Sequence, residues 1–91
     1  MGTDVGFDDF QRHITDRYGD ADRARGVPAA IAWLTEEIGE LAQAARKGST
    51  DDQVRELGDV LAWLASLADQ LGVSLADAAR HHLEADRPPS P

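Results

Sequence analysis

Apolar residues recur at three- and four-residue steps along most of the chain, the spacing of one side of an α-helix. One such stripe consists of Ile31, Leu34, Ile38, Leu41 and Ala45. A second stripe consists of Val54, Leu57, Leu61, Leu64, Ala65 and Ala68. Each is suited to packing against neighbouring helices, and no alternating pattern of a β-strand occurs in the sequence. The sequence therefore predicts an all-α fold of about four helices.

Glycine, proline and capping residues mark where these helices begin and end. We predict helices over residues 8–18, 28–47 and 51–71, and a short fourth helix from the Ser74 cap to about residue 86. Gly19 is the predicted end of the first helix, and residues 20–27, which show no periodicity, are predicted to form a loop. Residues 1–87 are expected to form one helical domain, followed by a disordered tail at 88–91, where consecutive prolines stop the last helix.

The third predicted helix is apolar on more than one side, because Val60, Trp63 and Leu67 lie off its main stripe. Such a helix is either central in its fold or buried by a partner subunit. A chain of 91 residues is also at the size where a single core is only modestly stabilising, and oligomerisation is a common remedy. We therefore expect the domain to assemble as an oligomeric helical bundle.

Charge and cysteine content exclude several classes of function. A formal charge of -8 and a sequence pI of about 4.6 argue against a domain that binds the phosphate backbone of a nucleic-acid polymer. The absence of cysteine excludes disulfides, thiolate zinc sites and cysteine nucleophiles. Residues 1–10 have no apolar signal-peptide core, and the longest apolar run, residues 60–65, is far shorter than a membrane span. We expect a soluble, cytoplasmic protein that binds neither nucleic-acid polymer nor membrane.

Two acidic segments are the strongest candidates for chemistry. The first acidic segment, residues 36–40, reads Glu-Glu-Ile-Gly-Glu, and the second, residues 56–59, reads Glu-Leu-Gly-Asp. Each contains two carboxylates three residues apart, which share one side of a helix. Gly48 is expected to end the second helix in a left-handed conformation, and Ser49 or Thr50 to cap the third. The short turn makes the two helices an antiparallel hairpin.

Helix geometry predicts that the two acidic segments lie at the same height in this hairpin. With a rise of about 1.5 Å per residue, Glu40 lies roughly 12 Å before the turn and Glu56 roughly 9 Å beyond it. On the same basis, Glu37 and Asp59 lie roughly 16 Å and 14 Å from the turn. The four carboxylates are therefore expected to converge.

Each carboxylate pair shares its strip of helix with a tryptophan, Trp33 on one helix and Trp63 on the other. Acidic residues at this spacing usually form a solvated face, but two pairs at matched height beside apolar surface favour a site. Four such carboxylates repel one another, so they either gain protons or are neutralised by a cation. Oxygen ligands select hard ions, which makes Mg2+ or Mn2+ the natural candidate. A di-iron site is excluded, because neither segment has a histidine three residues after a glutamate.

The two acidic segments resemble the signature of MazG-like, all-α nucleotide pyrophosphohydrolases. That signature reads E-E-x-x-E, a variable spacer, then E-x-x-D, usually within the contexts EEIGEL and ELGDVL, both of which occur here. The resemblance covers roughly residues 31–86. It implies a homodimer or homotetramer that hydrolyses a (deoxy)nucleoside triphosphate to monophosphate and pyrophosphate, in the service of nucleotide-pool cleaning.

The resemblance also implies roles for individual residues of the acidic segments. By motif position, Glu37, Glu40, Glu56 and Asp59 would hold Mg2+ bound to the triphosphate. Glu36, or a ligand carboxylate such as Glu37, would orient or deprotonate the attacking water. Catalysis would then consist of positioning and charge stabilisation.

Near the end of the last helix the sequence departs from the family pattern. Many relatives bind phosphates there with a Lys, an Asn four residues on, and an Arg. Here His82 and Asp86 stand at the first two positions, and Arg87 is close by. Arg80, His82 and Arg87 are the candidate phosphate contacts, whereas Asp86 facing a phosphate would be repulsive unless metal or Arg87 intervenes. His82 is equally well explained as an exposed residue of a terminal helix.

Trp33 and Trp63 are further candidate substrate contacts, since an indole can stack on a base, although helical tryptophans more often pack in a core or an interface. Two other functions stay open. One is a catalytically degenerate module of the same fold that binds nucleotides or a protein partner without hydrolysis. The other is a helical oligomerisation domain with an incidental acidic face.

Overall fold

Four helices make up the part of the chain that the computed structural model describes, residues 4–84. They are α1 (Phe7–Arg25), α2 (Val27–Lys47), α3 (Thr50–Leu71) and α4 (Leu75–Glu84). No strand occurs within residues 4–84, so the predicted all-α fold of about four helices is confirmed. None of these helices is both long and apolar enough to cross a membrane. The predicted tail at 88–91 lies outside the described residues.

Local hydrogen bonds fix the turn between α2 and α3. Ser49 caps α3, because its hydroxyl accepts a hydrogen bond from the Asp52 backbone N–H at 3.1 Å. The Asp52 carboxylate in turn accepts one from the Ser49 N–H at 3.0 Å, which completes a capping box. The Gln53 side chain donates to the Ala44 carbonyl oxygen at 3.1 Å and so joins the start of α3 to the end of α2. The two helices are therefore held in one register.

Gly48 ends α2, but the prediction that it adopts a left-handed conformation is wrong. Its φ of -90° and ψ of 168° are extended backbone, which most residues can adopt. Glycine is needed here for space, because a Cβ at this position would lie 2.8 Å from the Ala44 carbonyl oxygen.

α1 is longer than the sequence predicts, so the predicted helix end at Gly19 and the predicted loop over residues 20–27 are wrong. Gly19 is buried inside the helix, which continues until the chain turns at Gly26, where φ is 92°. The added turns pack against α3, and the Arg23 guanidinium lies 3.1 Å from the Asp69 carboxylate of that helix. Tertiary packing here outweighs the low helix propensity of glycine.

α3 is the central helix, since it packs against both α1 and α2. Its second apolar side faces these neighbours: Val60 is buried, and Trp63 and Leu67 are half-buried. Of the two explanations for that side, a central position in the fold is the one the structure supports.

Most large residues of the two predicted stripes are exposed in the protomer, so packing of these residues against neighbouring helices stays a prediction. We call this exposed surface the outer face, and its side chains, between 37% and 66% exposed, are Ile31, Ile38, Val54, Leu57, Leu61 and Leu64. The buried apolar positions within residues 4–84 are instead mostly small, among them Ala30, Ala44, Ala65 and Ala68. Small side chains let helix axes approach closely, which decides the side on which the helices pack.

Candidate metal centre

Three carboxylates from the two acidic segments meet between α2 and α3. One oxygen each from Glu37, Glu56 and Asp59 lies within 4.8 Å of the others, and we call this group the carboxylate triad. The helix rise and the capped turn bring Glu37 level with the two residues of α3. The structure thus brings together three of the four carboxylates whose convergence was expected.

Two oxygens of the carboxylate triad are buried without a hydrogen-bond partner among residues 4–84. They are Glu37 Oε2 and Glu56 Oε1. A buried acceptor without a partner costs about 1–3 kcal/mol, and more if it is charged. Burial raises the pKa of Glu37 above its usual value, and the nearby charges of Glu40, Asp59, Glu56 and Glu36 raise it further. Unpaired oxygens in a shared negative field are a donor set that fits a hard divalent cation.

The other two predicted carboxylates lie at the border of the triad. Glu40 is close enough to raise the pKa of Glu37, but it is not a member of the triad. It lines a groove near the α2–α3 turn together with Glu56 and Lys47. Glu36 is exposed beside Glu37. The roles of Glu40 as a metal ligand and of Glu36 in activating water stay predictions.

Trp33 and Trp63 stack on each other, with ring centroids 6.2 Å apart and planes 11° apart. Trp63 also has the Arg25 guanidinium 5.1 Å from its ring centroid, a distance typical of a cation–π contact. The two indoles therefore form part of the α2–α3 packing, as helical tryptophans commonly do. Their contact with a base stays a prediction.

A cavity of about 290 Å3 between α1 and α3 adjoins the carboxylate triad, because Asp59 belongs to both. Its other lining residues are Ile14, Tyr18, Asp22, Arg25, Ala62, Trp63 and Ser66. Asp22 is 4% exposed, and its Oδ1 accepts a hydrogen bond from Arg25 at 2.7 Å.

Sequence reasoning missed Asp22 and Arg25 because it assigned residues 20–27 to a loop. The signal was present, since the steps from Ile14 to Tyr18 to Asp22 to Arg25 are four, four and three residues. That spacing continues the strip of the first helix straight through Gly19.

Two of the predicted phosphate contacts, Arg80 and His82, lie on α4, which packs against α1. Arg80 pairs with Asp77 at 2.6 Å and lines a groove between α1 and α4. His82 is exposed on the same helix. Asp86 and Arg87 lie outside the described residues. Contact of these four residues with substrate stays a prediction.

Comparison with known proteins agrees with this geometry. Residues 26–84 match the family model described as MazG nucleotide pyrophosphohydrolase domain. The chain is also similar to Uncharacterized protein YvdC of Bacillus subtilis (strain 168), with 37% identity over 70 residues. That alignment covers 59% of this chain and 66%, slightly under two thirds, of YvdC. The family match includes α2, α3 and α4 and both acidic segments, so this chain belongs to the MazG nucleotide pyrophosphohydrolase domain family.

Proposed function

We propose that this protein hydrolyses a (deoxy)nucleoside triphosphate to a monophosphate and pyrophosphate, with Mg2+ as its metal and Mn2+ as a possible substitute. The observation that carries the proposal is the carboxylate triad with its two unpaired buried oxygens. The family match supports the reaction class. A role in cleaning the cytoplasmic nucleotide pool follows from such a reaction, because surplus or damaged triphosphates are removed as monophosphates.

Glu37, Glu56 and Asp59 are the residues that would hold the metal, with Glu40 as a fourth candidate one helical turn along α2. Their oxygens suit Mg2+, which takes carboxylates together with substrate phosphates. When bound, the ion would offset the charge of the triphosphate and polarise the phosphorus under attack. The net charge of the protein is -8, so it repels an anionic substrate unless a cation lies between the two.

The reaction requires one water molecule and one acceptor for its proton. The water oxygen bonds to the α phosphorus, the bond from that phosphorus to the α–β bridging oxygen breaks, and pyrophosphate leaves. Glu36, or a ligand carboxylate such as Glu37, accepts the proton. Arg80, His82 and Arg87, with Asp86 beside them, are the proposed phosphate contacts.

We also propose that the outer face is covered by a second copy of this chain. In an antiparallel hairpin, consider in each helix a residue that faces the other helix. The next residue in sequence then lies on the same side of the hairpin in both helices. Ile38 follows Glu37 and Leu57 follows Glu56, so the apolar residues of α2 and α3 share one side of the hairpin. Val54, Leu57, Leu61 and Leu64 are spaced by three, four and three residues, the pattern of helices that interlock in bundles.

Two hairpins joined through their outer faces would make a four-helix core, either as a homodimer or as the unit of a homotetramer. The occupant is a second copy because the outer face is apolar on both helices and carries its own complementary spacing. A contiguous apolar surface of this kind marks an interaction site.

A substrate panel tests the hydrolase proposal. The protein is incubated with each common ribo- and deoxyribonucleoside triphosphate and Mg2+, and products are separated by ion-exchange chromatography. We expect monophosphate and pyrophosphate in equal amounts, and loss of at least 100-fold in kcat for Glu56→Gln and for Asp59→Asn. Asp16→Asn, which removes an exposed charge from α1, is the matched control and should retain full activity.

The products also separate the alternatives. Release of inorganic phosphate instead of pyrophosphate would assign the cleavage to another bond. Nucleotide binding by calorimetry with no product over hours would favour the catalytically degenerate module. Full activity in both triad variants would end the assignment of the triad.

A further inference from the structure

The cavity between α1 and α3 adjoins the carboxylate triad, the place to which the proposed function assigns the phosphates of the substrate. Asp59 forms part of the cavity wall and part of the triad, so any occupant sits directly beside the proposed metal ligands. The volume of about 290 Å3 is just below the range of about 300–1,000 Å3 typical of pockets for drug-sized ligands. It therefore suits one planar heterocycle better than a whole nucleotide.

The wall of the cavity has the composition of a pocket for a planar ring. Ile14, Tyr18 and Ala62 supply apolar surface, and Trp63 adds the side of an indole. Flat rings bind well against such surfaces because stacking and apolar burial act together. The polar groups of the wall then decide which ring is accepted.

Two buried polar residues line the cavity, Asp22 at 4% and Ser66 at 3% exposure. Only Oδ1 of Asp22 accepts the hydrogen bond from Arg25, at 2.7 Å. A carboxylate offers about four acceptor positions on its two oxygens, so acceptor capacity is left for a ligand. Asp22 also cannot donate as a carboxylate, so the ligand must bring N–H groups to it.

The edges of the common bases differ in how many N–H groups they present side by side. Guanine presents its ring N1–H next to its exocyclic 2-amino group, a pair that matches two carboxylate oxygens. Adenine and cytosine present one amino group beside a ring nitrogen that can only accept a hydrogen bond. The lone pair of that nitrogen would face the lone pair of a carboxylate oxygen, which is repulsive. Uracil and thymine present a single N–H between two carbonyl oxygens.

We propose that Asp22 makes this cavity a pocket for guanine-type bases, with Arg25 holding the carboxylate in position. Arg25 holds Asp22 through their 2.7 Å hydrogen bond, and its guanidinium lies 5.1 Å from the Trp63 ring centroid, so it positions the acceptor beside the indole that borders the cavity. The inference rests on the proposed function for the placement of the phosphates. Binding of a monophosphate measures the base preference without any hydrolysis.

The test uses the whole protein and its intrinsic tryptophan fluorescence, to which the stacked Trp33 and Trp63 both contribute, with GMP, IMP, AMP, CMP and UMP as titrants in Mg2+. IMP is the decisive comparison, because hypoxanthine keeps N1–H and lacks only the 2-amino group. We expect GMP to bind at least tenfold more tightly than IMP, the size typical of one lost hydrogen bond to a charged group. AMP, CMP and UMP should bind more weakly still.

Asp22→Asn adds a second, independent readout. An amide offers one acceptor and one donor, which matches xanthine, whose edge has N1–H beside a carbonyl. The variant should lose the preference for GMP over IMP and bind XMP and UMP, whose edges both have N–H beside a carbonyl, more tightly than the wild type does, an exchange that a merely structural role of Asp22 would not produce. Asp16→Asn on the same helix carries the same charge change and should keep the wild-type preference. Circular dichroism establishes that each variant is folded.

The outcomes separate this inference from the proposed function. Tighter binding of GMP than of IMP without pyrophosphate release from any triphosphate would support the pocket and refute the hydrolase. Hydrolysis without base preference, together with equal binding of GMP and AMP by the wild-type protein, would overturn the pocket and leave the hydrolase standing. The wild-type titrations decide the matter even if Asp22→Asn fails to fold.

Discussion

The carboxylate triad predicts that removing one of its charges stabilises the metal-free protein. The substitution Glu37→Gln keeps the shape of the side chain, removes its charge and supplies an N–H donor. At 4.8 Å, two unit charges repel by about 1 kcal/mol in water and by about 3.5 kcal/mol at an effective dielectric constant of about 20. Glu37 takes part in two such pairs, with Glu56 and with Asp59.

The expected gain lies at the lower end of this range. Asp59 is exposed, and solvent and salt screen its repulsion. We therefore expect Glu37→Gln to raise the free energy of unfolding by about 1 kcal/mol in EDTA at low salt, which for a domain of this size raises Tm by about 4–8 °C. With Mg2+ the order should reverse, because only the wild-type protein retains the full set of ligands and gains stability from the ion.

Thermal unfolding followed by circular dichroism measures both effects at one fixed protein concentration, with Asp16→Asn as the matched change in net charge. Sodium chloride at the ionic strength of the Mg2+ sample controls for screening. A lower Tm of Glu37→Gln in EDTA would contradict the electrostatic reasoning. An equal rise with Mg2+ in the variant and the wild type, or a rise no larger than with sodium, would instead favour an incidental acidic face.

Three further predictions concern proton competition, assembly and the turn. Because the pKa of Glu37 is raised, protonation of Glu37 should weaken Mg2+ binding as pH falls through that raised pKa. In EDTA the same protonation should increase the free energy of unfolding, and this gain should grow as pH falls from the raised pKa towards the ordinary pKa of a glutamate. Measurements of Tm against pH, with and without Mg2+, test both effects. Leu61→Glu on the outer face should convert the oligomer to monomers in multi-angle light scattering, whereas Arg46→Glu, at an exposed polar position of α2, should not. Gly48→Ala should cost about 1–3 kcal/mol in urea unfolding, because its Cβ would meet the Ala44 backbone, whereas Gly58→Ala, whose Cβ meets nothing within 4 Å, should be neutral or stabilising.

The central hairpin could be predicted from sequence because short-range rules determine it. Ser49 caps α3 through contacts within four residues, and helix rise converts residue numbers directly into height. Glu37 is therefore level with Asp59 whatever the rest of the fold does. The conformation of Gly48 was mispredicted because its need for glycine comes from the space beside Ala44, which only the folded turn reveals.

The length of α1 could not be read from local signals alone. Gly19 looks like a helix end, yet its lack of a side chain is what lets the Arg23 guanidinium lie over it, where a Cβ would be 3.1 Å from that group. Arg23 then reaches Asp69 on α3. Gly19 therefore makes room for a contact between α1 and α3, and the two residues that form this contact are 46 positions apart in sequence.

Which side of α3 faces the other helices depends on the size and charge of its side chains. The spacing of apolar residues alone does not report either property. Both of its sides are apolar, so periodicity alone cannot say which side faces α1 and α2. Small residues such as Ala65 and Ala68 face inward because they allow close approach, and Leu57 and Leu61 are left on the outer face. The same rotation turns Glu56 towards Glu37 and Asp59 towards the cavity.

One rotation of α3 therefore links the three features on which function would depend. It brings together carboxylates that a cation can pair, it places the cavity with Asp22 beside them, and it exposes an apolar face that a second copy can cover. A charge placed on the outer face should consequently weaken assembly before it affects the metal, and Glu37→Gln should affect the metal without weakening assembly. Loss of both properties together in either variant would mean that the carboxylate triad forms only in the assembled protein.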